Sequence, residues 1–307
     1  MAAVVLARSS GGHEVRGSVL PGAGAVLVDL VVDSIDLLAR TPWAGRVVDE
    51  VSPAPDEDDW VRRWRGGWQL CLPTAGQPQP DAQPAQGFHG TASQAPWRVD
   101  HTSDVGVRLA WSDEDLDVVR SWSLEPTGAR VCTTVRNVGT RPREVIVAEH
   151  LVLGSDVLAP VVEDGAALDL DVAPGTMLAD LDYDGRPRGH VVPWPGDPRE
   201  RWARVTAATP ARVAALLHPR PRRVRLHRPG ASVEVRWDGL PHALLWQELR
   251  RSTESPWDGA VVAMGIEPTT TAHGAGTAAG GAVPLGPGKT MTWSASLRLL
   301  DHDRSDP

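Results

Sequence analysis

Apolar side chains on every second residue, in segment after segment, constrain this chain more than any other feature, because a period of two marks strands with one buried face. Val105, Val107, Leu109 and Trp111 alternate with Gly106, Arg108 and Ala110, and the acidic residues 112–115 turn the chain into residues 118–124, which predicts a hairpin. Val131, Thr133 and Val135 alternate with Cys132, Thr134 and Arg136 before the turn-prone Asn137-Val138-Gly139, so a second hairpin is expected to return through residues 144–153. Val224 and Leu226, the turn Arg228-Pro229-Gly230, and then Val233, Val235 and Trp237 repeat the pattern. Trp293, Ala295, Leu297 and Leu299 give a last strand.

Helical signals are confined to residues 205–217, interrupted by Pro210, and residues 2–6, and both read equally well as strands. The 30 glycines and 27 prolines supply many turns and argue against long helices. Strands recur from about residue 12 to residue 300 with no linker between them, so the expected fold is all-β, a large β-sandwich formed as one domain over residues 1–307. Two low-complexity segments, residues 77–86 and 270–281, are expected to be surface loops.

Several function classes lose support on composition. With 39 acidic against 31 basic residues the formal charge is -8, the wrong sign for a nonspecific nucleic-acid binder. The one basic run, residues 219–228, reads either as an anion patch or, more simply, as a solvated sheet face. Cys71 and Cys132 form neither a disulfide framework nor a Cys-x-x-Cys metal site. No membrane-length apolar stretch and no basic-plus-apolar leader is present, so a soluble, cytoplasmic protein is expected. Gly286-Pro287-Gly288-Lys289-Thr290 imitates the end of a phosphate-binding loop, but Val283 stands where that motif needs glycine and a strand follows where it needs a helix. Neither His-Glu-x-x-His nor Gly-x-Ser-x-Gly occurs, so no metal and no serine nucleophile is predicted.

Three segments place titratable groups among apolar neighbours. They are Arg65-Gly66-Gly67-Trp68-Gln69 through Phe88-His89-Gly90, then Ala148-Glu149-His150-Leu151, and Gly265-Ile266-Glu267-Pro268. A charge at the end of an apolar strand costs free energy unless it is paired or opens on a cleft. In their order these segments, with Asn137 ahead of the Glu-His strand, Trp246 in an apolar strand and a Pro-Gly-Lys turn before the last strand, resemble the galactose mutarotase-like superfamily, in particular aldose 1-epimerases, from about Gly66 to Leu299. The resemblance implies a β-supersandwich holding a monosaccharide, with no cofactor. It places the acid that protonates a hemiacetal ring oxygen on His150, the base that takes the anomeric proton on Glu267, and sugar binding on His89. Gln69, Arg65 and Trp246 are further candidates for sugar contact. An Asp that binds sugar hydroxyls in galactose mutarotases has no counterpart here, and Arg65 or Gln69 stands in for their Asn-Arg pair. Aldose ring opening asks for one acid and one base poised near neutrality, and Glu267 is expected to stay ionised in a water-filled cleft.

Plainer readings stand beside these. His89 would cap a turn, Glu149 would be an orienting or structural carboxylate, and Glu267 before Pro268 would be an edge-strand charge. Trp68 and Trp246 would be core filler, and Gln69 solvated. At the level of function, an active epimerase competes with a carbohydrate-binding or regulatory protein that keeps the site without turnover.

Overall fold

The alternation becomes two large antiparallel sheets in the computed structural model, which describes residues 2–47, 52–79, 85–197 and 202–301. The eleven-stranded sheet runs in the order Val4–Ser10, His13–Leu20, Val26–Val32, Trp68–Cys71, Ala148–Leu153, Val262–Thr269, His242–Leu249, Arg212–Leu217, Met177–Leu181 and Pro187–Pro193, with Ile35–Asp36 paired to Val26–Val32. The nine-stranded sheet runs Arg204–Val205, Leu168–Val172, Arg223–Arg228, Ala231–Asp238, Thr290–Asp301, Gly128–Asn137, Leu116–Glu125, Gly106–Ser112 and Arg98–Ser103. Leu27, Leu70 and Leu151 from the first sheet share one buried cluster with Leu109, Val131 and Leu297 from the second. This is an all-β sandwich. No helix among the described residues is long and apolar enough to cross a membrane.

The middle of the eleven-stranded sheet is covered on both faces, which explains why its strands read as apolar runs rather than as alternations. All six residues of Ala148–Leu153 are buried. Side chains of a strand alternate between faces, so Glu149 enters the sandwich interior and His150 points the other way. There Glu149 accepts a bidentate pair of 2.8 Å hydrogen bonds from Arg120 and one indole N–H each from Trp68, at 2.8 Å, and Trp293, at 2.6 Å. Both charged side chains are fully buried, and four hydrogen bonds to one carboxylate offset the loss of its water. Glu149 is thus a structural carboxylate tying the two sheets together, and Trp68 is core.

Several expectations change. Residues 144–153 do not fold back on Gly128–Asn137, whose neighbours are Leu116–Glu125 and Thr290–Asp301. Buried Asn137 instead donates to the carbonyls of Arg141 and Leu285, and Arg143–Val145 pairs with Val283–Leu285 as the chain crosses to the other sheet. A turn signal reports a change of direction but not the sheet that receives the next strand. Residues 205–217 are strand and turn rather than helix, and strands begin at Val4 rather than near residue 12. Two helices, Glu57–Arg63 and Ser155–Val162, are present where none was expected. Residues 80–84 of the first low-complexity segment lie outside the described residues. The second is not simply a surface loop, because Thr270, Thr271 and His273 are buried. In the basic run, Arg223 and Arg225 pair with Asp171 and the buried Glu234, and Arg222 pairs with Asp238. Those arginines balance neighbouring carboxylates, as on a solvated sheet face. Lys289 closes a turn onto Gly286 and leads directly into Thr290–Asp301.

Candidate active site

Strand register brings the two principal titratable groups together. Ala148 lies opposite Thr269 and Val152 opposite Gly265, so His150 sits across from Glu267 on the outer face, in adjacent strands. Their side chains approach to 3.9 Å, Nε2 to Oε1, and both are more than nine-tenths buried. Val262–Thr269 is flanked by strands on both sides, which removes the edge-strand reading of Glu267. Two residues earlier on the same face, Gly265 makes room for it: a Cβ there would stand 2.2 Å from Glu267 Oε1.

His89 reaches the same place from a loop. Its backbone has a positive φ of 60°, an uncommon conformation for a non-glycine residue. Hydrogen bonds hold it there, from His89 N–H to the Gly76 carbonyl at 3.0 Å and from Gly76 N–H to His89 Nδ1 at 2.8 Å. Gly90 follows with φ of 80° against the Leu72 carbonyl, where a Cβ would come within 2.1 Å of the oxygen. Because Nδ1 accepts, the neutral ring of His89 carries its proton on Nε2. The His89 and His150 rings lie 5.2 Å apart.

Above the sheet stands the helix Glu57–Arg63. Asp56 caps it by accepting from Asp59 N–H, Glu57, Asp58 and Asp59 fill its first turn, and Arg62 and Arg63 its last, all favourable to the helix dipole. Glu57, Trp60 and Val61, with Trp64 just beyond, recur at helical spacing and face the sheet. Trp60 meets His89 and His150 edge-on with ring centroids 4.5 and 5.4 Å apart, and Trp64 meets His150 and Trp246 at 5.7 and 5.9 Å. Together with Phe88, Tyr183 and Trp257 these side chains wall a cavity floored by His150, Glu267, Trp246, Leu244 and Val213.

Of the residues singled out from the sequence, His89, His150, Glu267 and Trp246 line this cavity. Gln69 and Arg65 do not. They line a neighbouring pocket behind Trp60 and Trp64, where the Gln69 amide donates to the Ser93 carbonyl and Arg65 donates to the Val47 carbonyl at 2.8 Å. Both therefore serve the backbone around the site rather than the cavity. Glu57, Trp60, Trp64, Phe88, Tyr183 and Trp257 were missed. The capping Asp56, its acidic first turn and the Trp60/Trp64 spacing form a legible helix-start signal that could have found three of these, Glu57, Trp60 and Trp64.

Burial sets the protonation of the pair. It pushes the Glu267 carboxyl up to about 8 and the His150 imidazole down to about 4. The expectation of an ionised Glu267 is overturned, since no described residue donates a hydrogen bond to the carboxyl and little of it is exposed. Burial, with His150 nearby, also holds His89 well below its ordinary range. At neutral pH the cavity thus presents two uncharged imidazoles and a mainly protonated Glu267. Tyr183, whose hydroxyl accepts from Trp246 Nε1 at 3.3 Å and donates to Glu248 at 3.4 Å, is pushed up to about 12, chiefly by burial.

Comparison with known proteins adds the fold. No protein-family model and no curated protein matches the sequence. Among solved structures, the Slr1438 protein of Synechocystis sp. PCC 6803 superposes with a TM-score of 0.71 at 16% identity, covering 98% of this chain and 97% of that one. A galactose mutarotase-like protein from Lactobacillus casei gives a TM-score of 0.68 at 14% identity over 97% and 100% of the two chains. A galactose mutarotase related enzyme from Lactobacillus acidophilus gives 0.65 at 13% identity over 100% of both. Matches that span both chains end to end leave little of the architecture unaccounted for, and the fold of this chain is that of the galactose mutarotase-like proteins.

Proposed function

We propose that the protein is an aldose 1-epimerase, interconverting the α and β anomers of an aldose without a cofactor. The observation that carries the reading is the close approach of His150 and Glu267, 3.9 Å apart on neighbouring strands, at the floor of an aromatic-walled cavity. Aromatic faces suit the C–H faces of a pyranose ring, while its hydroxyls need polar partners.

Ring opening removes the proton from the anomeric hydroxyl, breaks the bond between C1 and the ring oxygen, and returns a proton to that oxygen. The open aldehyde turns about its C1–C2 bond and closes by the reverse transfers, so each group both gives and takes a proton in one cycle. The pair needs one exchangeable proton in total. Burial keeps one at the site, on Glu267. A sugar hydroxyl donating to that carboxyl favours its ionised form and sends the proton to His150, which gives the arrangement with His150 as acid and Glu267 as base. His89, with a fixed Nε2 donor beside His150, holds a sugar oxygen.

Exchange-transfer NMR on a panel of aldoses tests this. Accelerated anomer exchange that falls at least about a hundredfold in both Glu267→Gln and His150→Ala is the expected result. Binding without exchange in the unaltered protein would instead support a carbohydrate-binding role.

A further inference from the structure

The cavity wall is unusual in its charge. Among the described residues its lining holds three carboxyl side chains, Glu57, Asp184 and Glu267, and no lysine or arginine. Asp184 is engaged by Arg186 at 2.5 Å, outside the lining. On the helix, Arg62 and Arg63 turn to Asp58 and Asp59. Glu57 has no such partner: among the described residues nothing donates a hydrogen bond to it and no cation pairs with it. It occupies the same helix face as Trp60, Val61 and Trp64, which continue the cavity wall. Burial raises its carboxyl above the ordinary range, with the charges of Asp184 and Asp58 adding to the effect.

An anionic substituent entering this space would lose its water and meet the carboxyls of Glu57 and Asp184 without a lysine or arginine in the described lining to pair with, which costs far more than a hydroxyl would. A cationic substituent would find an unpaired carboxylate and the faces of Trp60, Trp64, Trp246 and Tyr183, a combination that attracts ammonium groups. We infer that, on the epimerase reading above, the cavity is selective for amino aldoses, that Glu57 receives their ammonium group, and that phosphorylated and carboxylated sugars are turned away. Glu57 is then a specificity residue, separate from the pair that moves protons.

Anomer exchange is measured by NMR at pH 6.5 for glucosamine, glucose, N-acetylglucosamine and glucose 6-phosphate, and repeated for the galactose series. Binding is followed in parallel by quenching of tryptophan fluorescence. Glucosamine or galactosamine should exceed its parent sugar by about tenfold in kcat/KM or affinity, the worth of one charge-assisted contact. N-acetylation, which removes the charge at the same position, should abolish the advantage. In Glu57→Gln the ratio of amino to parent sugar should fall towards one, and the 6-phosphate should remain the poorest ligand of its series. Equal handling of amino and parent sugars, a ratio unmoved by Glu57→Gln, or a preference for the 6-phosphate would each overturn the inference. Failure of every sugar to exchange would refute the epimerase reading alone. The fluorescence titrations would then still decide selectivity, and absence of any binding would overturn both.

Discussion

Replacing Glu267 by Gln should change how the stability of the protein depends on pH, quite apart from catalysis. In the folded chain the carboxyl is pushed up to about 8 by burial, against an ordinary value of 4.5. The folded state therefore holds a proton that the unfolded state releases, and stability is lost as pH rises from about 4.5 through about 8. His150 works in the opposite sense. Its imidazole is driven down to about 4 from 6.5, so the stability that it contributes is complete above pH 6.5 and is lost as pH falls towards 4. Between pH 4.5 and 6.5 the two slopes nearly cancel, and above 6.5 only Glu267 is left. One proton contributes about 1.4 kcal/mol per pH unit, which amounts to about 2 kcal/mol between pH 6.5 and 8. At about 2 °C per kcal/mol for a long chain, the melting temperature should fall by about 4 °C over that interval. Gln keeps the shape and never ionises. Subtracting the Glu267→Gln curve from that of the unaltered protein removes every other titrating group. Scanning calorimetry or tryptophan fluorescence from pH 5 to 9 provides both curves. Parallel curves between pH 6.5 and 8 would refute the claim that a neutral carboxyl is buried beneath the cavity.

Three further outcomes follow from the same geometry. Anomer exchange should show a bell-shaped kcat/KM profile with apparent limbs near about 4 and about 8, belonging to the His150/Glu267 pair as a unit; a profile flat between pH 6.5 and 9 would exclude Glu267 from it. Gly265→Ala sets a methyl group 2.2 Å from the present position of Glu267 Oε1, which forces the carboxyl to move, and should lower kcat/KM by about a hundredfold while moderately affecting melting, as steady-state kinetics beside thermal melts can show. Glu149→Ala strands Arg120 in the sandwich interior and should cost about 3–5 kcal/mol in urea denaturation, most of it recovered when Arg120 is replaced by Met in the same chain.

The sequence and the structure part company where information stops being local. Alternation in residues 105–111 and 293–299 is a property of neighbours along the chain, and the predicted strands are present as Gly106–Ser112 and Thr290–Asp301. The motif order around Gly67, His150 and Glu267 likewise carried enough to indicate the fold. Which sheet receives a strand after a turn is not local, and the expected return of residues 144–153 onto Gly128–Asn137 failed there. The candidate site divides along the same line. His89, His150, Glu267 and Trp246 are legible as polar or aromatic breaks in apolar segments, whereas Gln69 and Arg65, breaks of the same kind, fall behind Trp60 and Trp64 and turn to backbone carbonyls. Glu267 shows the limit most clearly. Its position at a strand end suggested water, but a strand on either side, the helix carrying Trp60 and the adjoining Trp64 leave little of it exposed. The charge state of a buried carboxyl depends on what packs over it, and here that cover is built from residues about two hundred positions earlier in the chain. The same cover brings Glu57 to the cavity, so the element that keeps Glu267 neutral also places the unpaired carboxylate at its wall. A chain lacking the helix would keep the His150/Glu267 pairing set by strand register but lose the raised carboxyl together with the selectivity.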